Sequence, residues 1–205
     1  AKSYLFTVAY HLLIDHTRGF GKMEQEVLLY YPFGAIFEPS EYDMALETGW
    51  FPLNNEIWFQ SRSTRIDLSL YKPSKTVLKN AAKLGWHGTV PQERILRPIY
   101  EKYIAHRGFT DKGLTTQDII DNSNRCLLYT YNSKPVAFLC YKIIGKAFLA
   151  VEFAWDYANP ELTIGHVSRY AESKIARVAG CTHLYMSAGY EKCSIYKSSY
   201  PGFQW

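Results

Sequence analysis

Two tyrosines late in the chain, Tyr190 and Tyr196, carry phenols that can give up a proton or donate a hydrogen bond to an oxyanion. Upstream, Glu152 and Asp156 stand at the end of an apolar run, where a carboxylate can accept a proton or hold an ammonium group. Lys197 follows Tyr196 directly and can meet a phosphate. Arg62, Arg65, Lys72, Lys75 and Lys79 form a basic series suited to a phosphate backbone, where each acts mainly as a point charge. Gly165 and His166 open a helical stretch whose first N–H groups can face an anion. The chemistry that unites such groups is the handing of an activated carbonyl to nitrogen, in which positioning supplies much of the rate. Each residue also has a plainer use: a tyrosine in a sheet face, Asp156 in a turn, a solvated lysine, a surface histidine.

Other chemistries find little support. The six histidines are scattered, with no HExxH pair and no His/Cys cluster, so no metal is expected. No G-x-S-x-G elbow is present for a hydrolase nucleophile. Cys126, Cys140, Cys181 and Cys193 form no CxxC pair, which fits a reducing, cytoplasmic setting. No run approaches the length of a membrane span, and the opening AKSYLFTVAYHLLID reads as a first strand and not as a signal peptide. A membrane partner is therefore not expected.

Charge is distributed unevenly. The whole chain carries +4, but the segment from Arg62 to Arg107 has ten Lys and Arg residues against Asp67, Glu93 and Glu101, a net +7. The remainder is slightly acidic. A basic middle of this kind points to a polyanionic partner, the plainer alternative being a solvated helix face. Aromatic content is high, with 17 Tyr, 11 Phe and 5 Trp, and suits sheet faces and clefts that bind something flat or polar.

The elements that must position these groups follow from pattern. Strands are expected over 4–14, 27–37, 56–60 and 64–68. Ser40 is placed to cap a helix that stops at Gly49, and Ser74 to cap a basic helix from Lys75 to Leu84. Residues 91–106 make an amphipathic helix with Ile95, Leu96, Ile99 and Tyr103 on one side, bent by Pro98. A short helix follows at 116–120. Three apolar strands, 127–131, 136–144 and 147–155, are joined by Asn132-Ser133-Lys134-Pro135 and Gly145-Lys146, both short enough for hairpins. A loop from Asn159-Pro160 to Gly165, a helix over 166–178 and a strand over 183–187 complete the order. Helices, a three-stranded meander, a glycine loop, a helix and a strand are the order of the GNAT (GCN5-related N-acetyltransferase) fold. The expectation is an α/β (α+β) chain with a mixed, mostly antiparallel central sheet flanked by helices. It divides into an N-terminal lobe over 1–85 and a GNAT-like core over 86–205.

Two passages carry a closer likeness. Arg65-Ile66, Tyr71, Pro73-Ser74, Val77-Leu78 and Asn80 resemble the R-I…F-x-P-S…V-L-x-x-N passage of arginyl-tRNA–protein transferases and their bacterial leucyl relatives, with altered spacing. Leu184 to Phe203 is similar to the same family's ending, where Tyr196-Lys197 and Tyr200 fit and Lys192 and Cys193 are displaced. Phe153 to Gly165 is similar to its F-F-Y-D-P-D loop. The resemblance spans Tyr42 to Phe203, but the family's N-terminal cysteine cluster has no counterpart here.

What the resemblance implies is an aminoacyltransferase without a cofactor, taking an amino acid from aminoacyl-tRNA to an amine acceptor such as a protein N-terminus, a peptide or a small molecule. Tyr190, Tyr196, Asp156 and Glu152 would do the chemistry. Arg62, Arg65, Lys72, Lys75, Lys79, Gly165, His166 and Lys197 would hold the donor. Two alternatives stand beside it. One is an acetyl-CoA-dependent N-acetyltransferase, although only Gly165 of the usual Q/R-x-x-G-x-G/A loop is kept, Leu162 and Val167 standing at its ends. The other is a GNAT-derived RNA-binding module without catalysis.

Overall fold

The computed structural model describes residues 4–7, 33–52, 58–60, 63–107, 115–188 and 192–204. A small sheet forms first, from β1 (Tyr4–Thr7), β2 (Phe33–Ile36), β3 (Trp50–Pro52) and β4 (Trp58–Gln60), with helix α1 (Tyr42–Glu47) between β2 and β3. Its order is β1-β2-β4-β3, antiparallel throughout. The helix expected to be capped by Ser40 is entered differently. Glu38 is the cap of a preceding 3-10 turn, and its N–H donates to Glu41 Oε2 at 2.9 Å in a capping box.

The larger sheet takes β5 (Ser63–Asp67), β6 (Gly85–Thr89), β7 (Arg125–Tyr131), β8 (Lys134–Ile144), β9 (Ala147–Trp155), β10 (His183–Ala188) and β11 (Phe203–Gln204) in the order β11-β5-β10-β9-β8-β7-β6. All neighbours are antiparallel except β9 and β10. The meander expected from the sequence is its centre. At the β7–β8 turn, Asn132 and Ser133 both take positive φ (49° and 61°), matching the twist of a two-residue hairpin. At the β8–β9 turn Gly145 does so at 52°.

Alternation along β7 sends Leu127 and Tyr129 to one face and Cys126 and Leu128 to the other. Helices cover both faces. On the Leu127 side lie α2 (Lys75–Ala81), capped by Ser74 through the Val77 N–H at 3.2 Å, and α5 (Ile164–Val178). On the Cys126 side lie α3 (Glu93–Arg107) and α4 (Thr116–Asp121), which bury Leu96, Ile99 and Ile119.

β5 runs between β11 and β10, and α2 packs with α5, so residues on both sides of position 85 contribute to the large sheet and its cover. The small sheet joins through a third cluster, in which Leu46, Phe51 and Trp58 meet Leu149 and Tyr185. The strands expected over 4–14 and 27–37 are described only at Tyr4–Thr7 and at Phe33–Ile36 with the residues that follow it; the other residues lie outside the described ones. No described helix is long and apolar enough to cross a membrane.

Candidate functional site

The site begins where a ladder stops. β9 and β10 pair in parallel at His183–Ala147, Leu184–Phe148 and Tyr185–Leu149, and no further, although both strands run on. Past Tyr185, β10 stays with β5 through an irregular register, while β9 stays with β8. On β9 the register skips Val151: Cys140 faces Glu152 and Tyr141 faces Ala150, so Val151 is the extra residue of a bulge. A bulge bends its strand and re-aims the side chains beside it. The two strands part, and a cavity of about 460 Å³ opens between them.

Its wall comes from both faces of the sheet. Tyr103 and Arg107 reach it from α3, and Arg169 from α5 on the opposite face. Ala150, Val151, Glu152, Phe153 and Trp155 line it from β9, and Met186 from β10. Tyr196, Lys197 and Tyr200 come from and just after a 3-10 helix at Lys192–Ser199, which the sequence patterns did not reveal. One end is aromatic. Trp155 lies 5.2 Å from Phe153, 5.4 Å from Tyr103 and 4.4 Å from Tyr157, ring centre to ring centre. His106 stacks on Tyr157 at 3.6 Å.

Glu152 is the carboxylate in this wall. Burial holds its proton to about pH 7, against the pull of a hydrogen bond from the Phe153 backbone. It is half-buried and lines the cavity. A carboxyl so placed exchanges a proton near neutrality, as a general base needs. Burial also pushes the Tyr103 and Tyr200 hydroxyls well above the usual range, so both stay protonated as donors.

Opposite Glu152 sits a buried polar string on α5. Arg169 Nη1 is 2.6 Å from Glu172 Oε2, Ser168 Oγ donates to Glu172 Oε1 at 2.6 Å, and Ser168 Oγ and the Tyr129 hydroxyl are 3.0 Å apart. Glu172 is fully buried and Arg169 is 9% exposed. Burial opposes the charge on Arg169, yet Glu172 and the nearby Tyr200, Tyr196 and Tyr129 outweigh it and keep the guanidinium protonated. Sequence reading passed over Arg169 and Glu172. The signal was there: Ser168 and Glu172, four apart, fall on the same side of the helix as Ile164 and Ile175.

The other expected residues are distributed as follows. Glu152, Tyr196 and Lys197 line the cavity together, Tyr196 being 59% exposed and Lys197 Nζ donating to the Met186 carbonyl at 2.7 Å. Gly165 and His166 do not line it but lie beside its wall residues at the start of α5: a Cβ at Gly165 would meet Phe153 at 3.7 Å, and the His166 ring lies 5.5 Å from that of Tyr200. Asp156 does not line it. Its Oδ1 accepts the Ala158 N–H at 3.1 Å and shapes the turn in which Tyr157 takes positive φ, 56°. Arg65 ties strands instead, Nε donating to Gln204 Oε1 at 2.8 Å and Nη1 to the Tyr185 hydroxyl at 3.1 Å. Lys72, Lys75 and Lys79 are exposed, the last two on α2. Tyr190 and Arg62 lie outside the described residues. The +7 segment is thus not one surface: its lysines on α2 and its arginines on α3 occupy opposite faces of the sheet.

No protein-family model matches the chain, and no curated protein matches its sequence. Solved structures do resemble it. The C-terminal domain of a putative lysylphosphatidylglycerol synthetase from Agrobacterium fabrum superposes with a TM-score of 0.52 at 12% identity, over 75% of this chain and 52% of that one. L-PGS from Bacillus licheniformis gives 0.50 at 12% identity, over 74% and 50%. The GCN5-related glucosamine N-acetyltransferase region of a fungal multi-domain GH3 beta-N-acetylglucosaminidase gives 0.50 at 12% identity, over 82% and 22%. The chain spans about half the length of the first two. At this identity the likeness is one of fold, and the fold is GNAT-like.

Proposed function

We propose that the chain is an acyltransferase that moves an activated acyl group to an amine in the gap between β9 and β10. The observation that carries this reading is Glu152, a carboxyl on the bulged strand that exchanges its proton near pH 7 inside a lined cavity. An incoming ammonium gives one proton to the Glu152 carboxylate and becomes nucleophilic. Its nitrogen attacks the acyl carbonyl, and the oxyanion that forms faces the positive charge of Lys197. The C–N bond is kept as the ester C–O bond breaks. Tyr196 gives its hydroxyl proton to the leaving oxygen and takes the remaining proton from the nitrogen. Shared fold supports the class: the names of the neighbouring proteins speak of a lysyl group joined to phosphatidylglycerol and of acetyl transfer to glucosamine nitrogen.

The donor in this proposal is an aminoacyl-tRNA. Support comes from the resemblance of Arg65–Asn80 and Leu184–Phe203 to aminoacyl-tRNA–protein transferases and from the cations Arg107 and Lys197 in the cavity wall. Acetyl-CoA is the second reading. Its support is the place of the start of α5 beside the wall residues Phe153 and Tyr200, although the His166 and Val167 N–H groups there donate to the Thr163 carbonyl. It is disfavoured by Leu162 and Val167, both buried in the core where the usual loop carries a polar residue and a small one.

Transfer of radiolabelled amino acids from charged tRNA to a panel of amines, run beside acetyl-CoA, separates the readings. Label should pass from tRNA, and Glu152→Gln should lower the rate by about 100-fold or more. Turnover of acetyl-CoA alone selects the second reading. Tight, salt-sensitive tRNA binding without turnover of either donor rejects both in favour of a binding module.

A further inference from the structure

Opposite charges share one cavity. Glu152 projects from β9 and Arg169 from α5, and both line the same space of about 460 Å³. That volume suits a small molecule or a short peptide. Charge is expensive to keep there, and Glu172 offsets that of Arg169.

Arg169 is built in with care. Glu172 takes Nη1, Ser168 holds Glu172, and Tyr129 meets Ser168, so a string of buried groups fixes the guanidinium from behind. A guanidinium has five N–H donors, more than one carboxylate can occupy. It is also planar and forked, which matches a carboxylate better than an amine, a sugar or a thioester. The aromatic end of the cavity adds the faces of Tyr103 and Trp155, which attract an ammonium.

We propose that the acceptor is an amino carboxylate, a free amino acid or a short peptide, whose ammonium is seated at Glu152 and whose carboxylate is read by Arg169. This rests on the acyl-transfer reading for the word acceptor, but the recognition is a binding property that needs no donor. An amine without the carboxylate forgoes the contact with Arg169, and an acid without the amine forgoes the contact with Glu152.

The test uses the whole chain and calorimetric titration with defined probes. L-alanine and L-alanyl-L-alanine are compared with L-alaninamide and L-alanyl-L-alaninamide, which keep the amine and lose the carboxylate, and with propionate, which lacks the amine. At least one of the two zwitterions should bind about tenfold or more tightly than its amide and than propionate. The preference should vanish in Arg169→Met, and the wild-type comparison stands by itself should that variant fail to fold. Tighter binding of alanine identifies a free amino acid, and of the dipeptide a short peptide; either supports the proposal. Equal binding of acid and amide, or no binding of either zwitterion, overturns it. Acyl transfer to amides and acids at equal rates would remove this inference and leave the transferase. Selective binding without transfer from any donor would remove the transferase and leave the site.

Discussion

Glu152 is half-buried and Glu172 fully buried, and burial raises the proton affinity of both, but their partners differ. Glu172 has a cation at 2.6 Å and a hydroxyl donor at 2.6 Å, whereas what opposes the burial of Glu152 is one backbone hydrogen bond. Truncating Glu172 to Ala leaves Arg169 buried without its counter-ion, and should cost about 3–5 kcal/mol in urea denaturation. Glu152→Gln should do the reverse. The free side chain ionises in the usual carboxylate range, but in the fold it keeps its proton to about pH 7. Between those limits the folded state holds more protons than the unfolded, so wild-type stability falls as pH rises through the window. The glutamine variant escapes this loss. Its advantage over wild type should be small at about pH 5 and reach on the order of 1–3 kcal/mol by about pH 8, measured by thermal melts across pH. The rate should fall in the same variant, and a rise in wild-type activity with pH around 7 should disappear from it. Glu152 was legible in the sequence because strand length put it near the end of the meander. Arg169 was not, because a single arginine on an amphipathic helix reads as its wet face until a buried partner is seen.

Turns decide how the elements meet. Gly145 has φ of 52°, and a Cβ there would run into the Asp43 carboxylate, which accepts the Lys146 N–H at 3.3 Å. That contact fastens α1 to the β8–β9 turn. Gly145→Ala should therefore lower stability by about 1–2 kcal/mol through backbone strain and the displaced carboxylate, read as a lower melting temperature. The meander, α3, α4 and α5 were legible because apolar period and turn residues agree over long stretches. β6 and β11 were not. β6 reads GWHGT, with two glycines and no alternation, and is held by β7 on one side. β11 is two residues long and owes its place to β5 and to the bond between Arg65 and Gln204, partners far away in sequence. Ser74 gave its cap from local pattern, while Ser40 misled because the turn before α1 draws on Glu38 and Glu41.

Taken as a whole molecule, the chain divides its positive charge. α2 carries Lys75 and Lys79, and its Asn80 donates to the Glu161 carbonyl at 3.0 Å and to Thr163 Oγ1 at 3.2 Å in the loop leading into α5. Arg94 and Lys102 stand on α3, across the sheet. On the aminoacyl-tRNA reading, a tRNA tracking toward the α5 start would meet the first pair and not the second. Lys75→Ala with Lys79→Ala should weaken tRNA binding and reduce the slope of log affinity against log salt by about 2, whereas Arg94→Ala with Lys102→Ala should leave that slope unchanged, measured by filter binding at several salt concentrations. Net charge along the sequence could not foretell this, since it ignores which side of a sheet a helix covers.

The parting of β9 and β10 also has a kinetic meaning. The gap is walled from α3 on one side of the sheet and from α5 on the other, so groups from both faces meet in one space. Its described lining offers Glu152, Tyr196 and Lys197 as the groups on which an acyl group could pause between visits. On the acyl-transfer reading, direct transfer has both partners aboard together and gives intersecting lines in double-reciprocal plots, while parallel lines would reveal a covalent stop on one of these side chains.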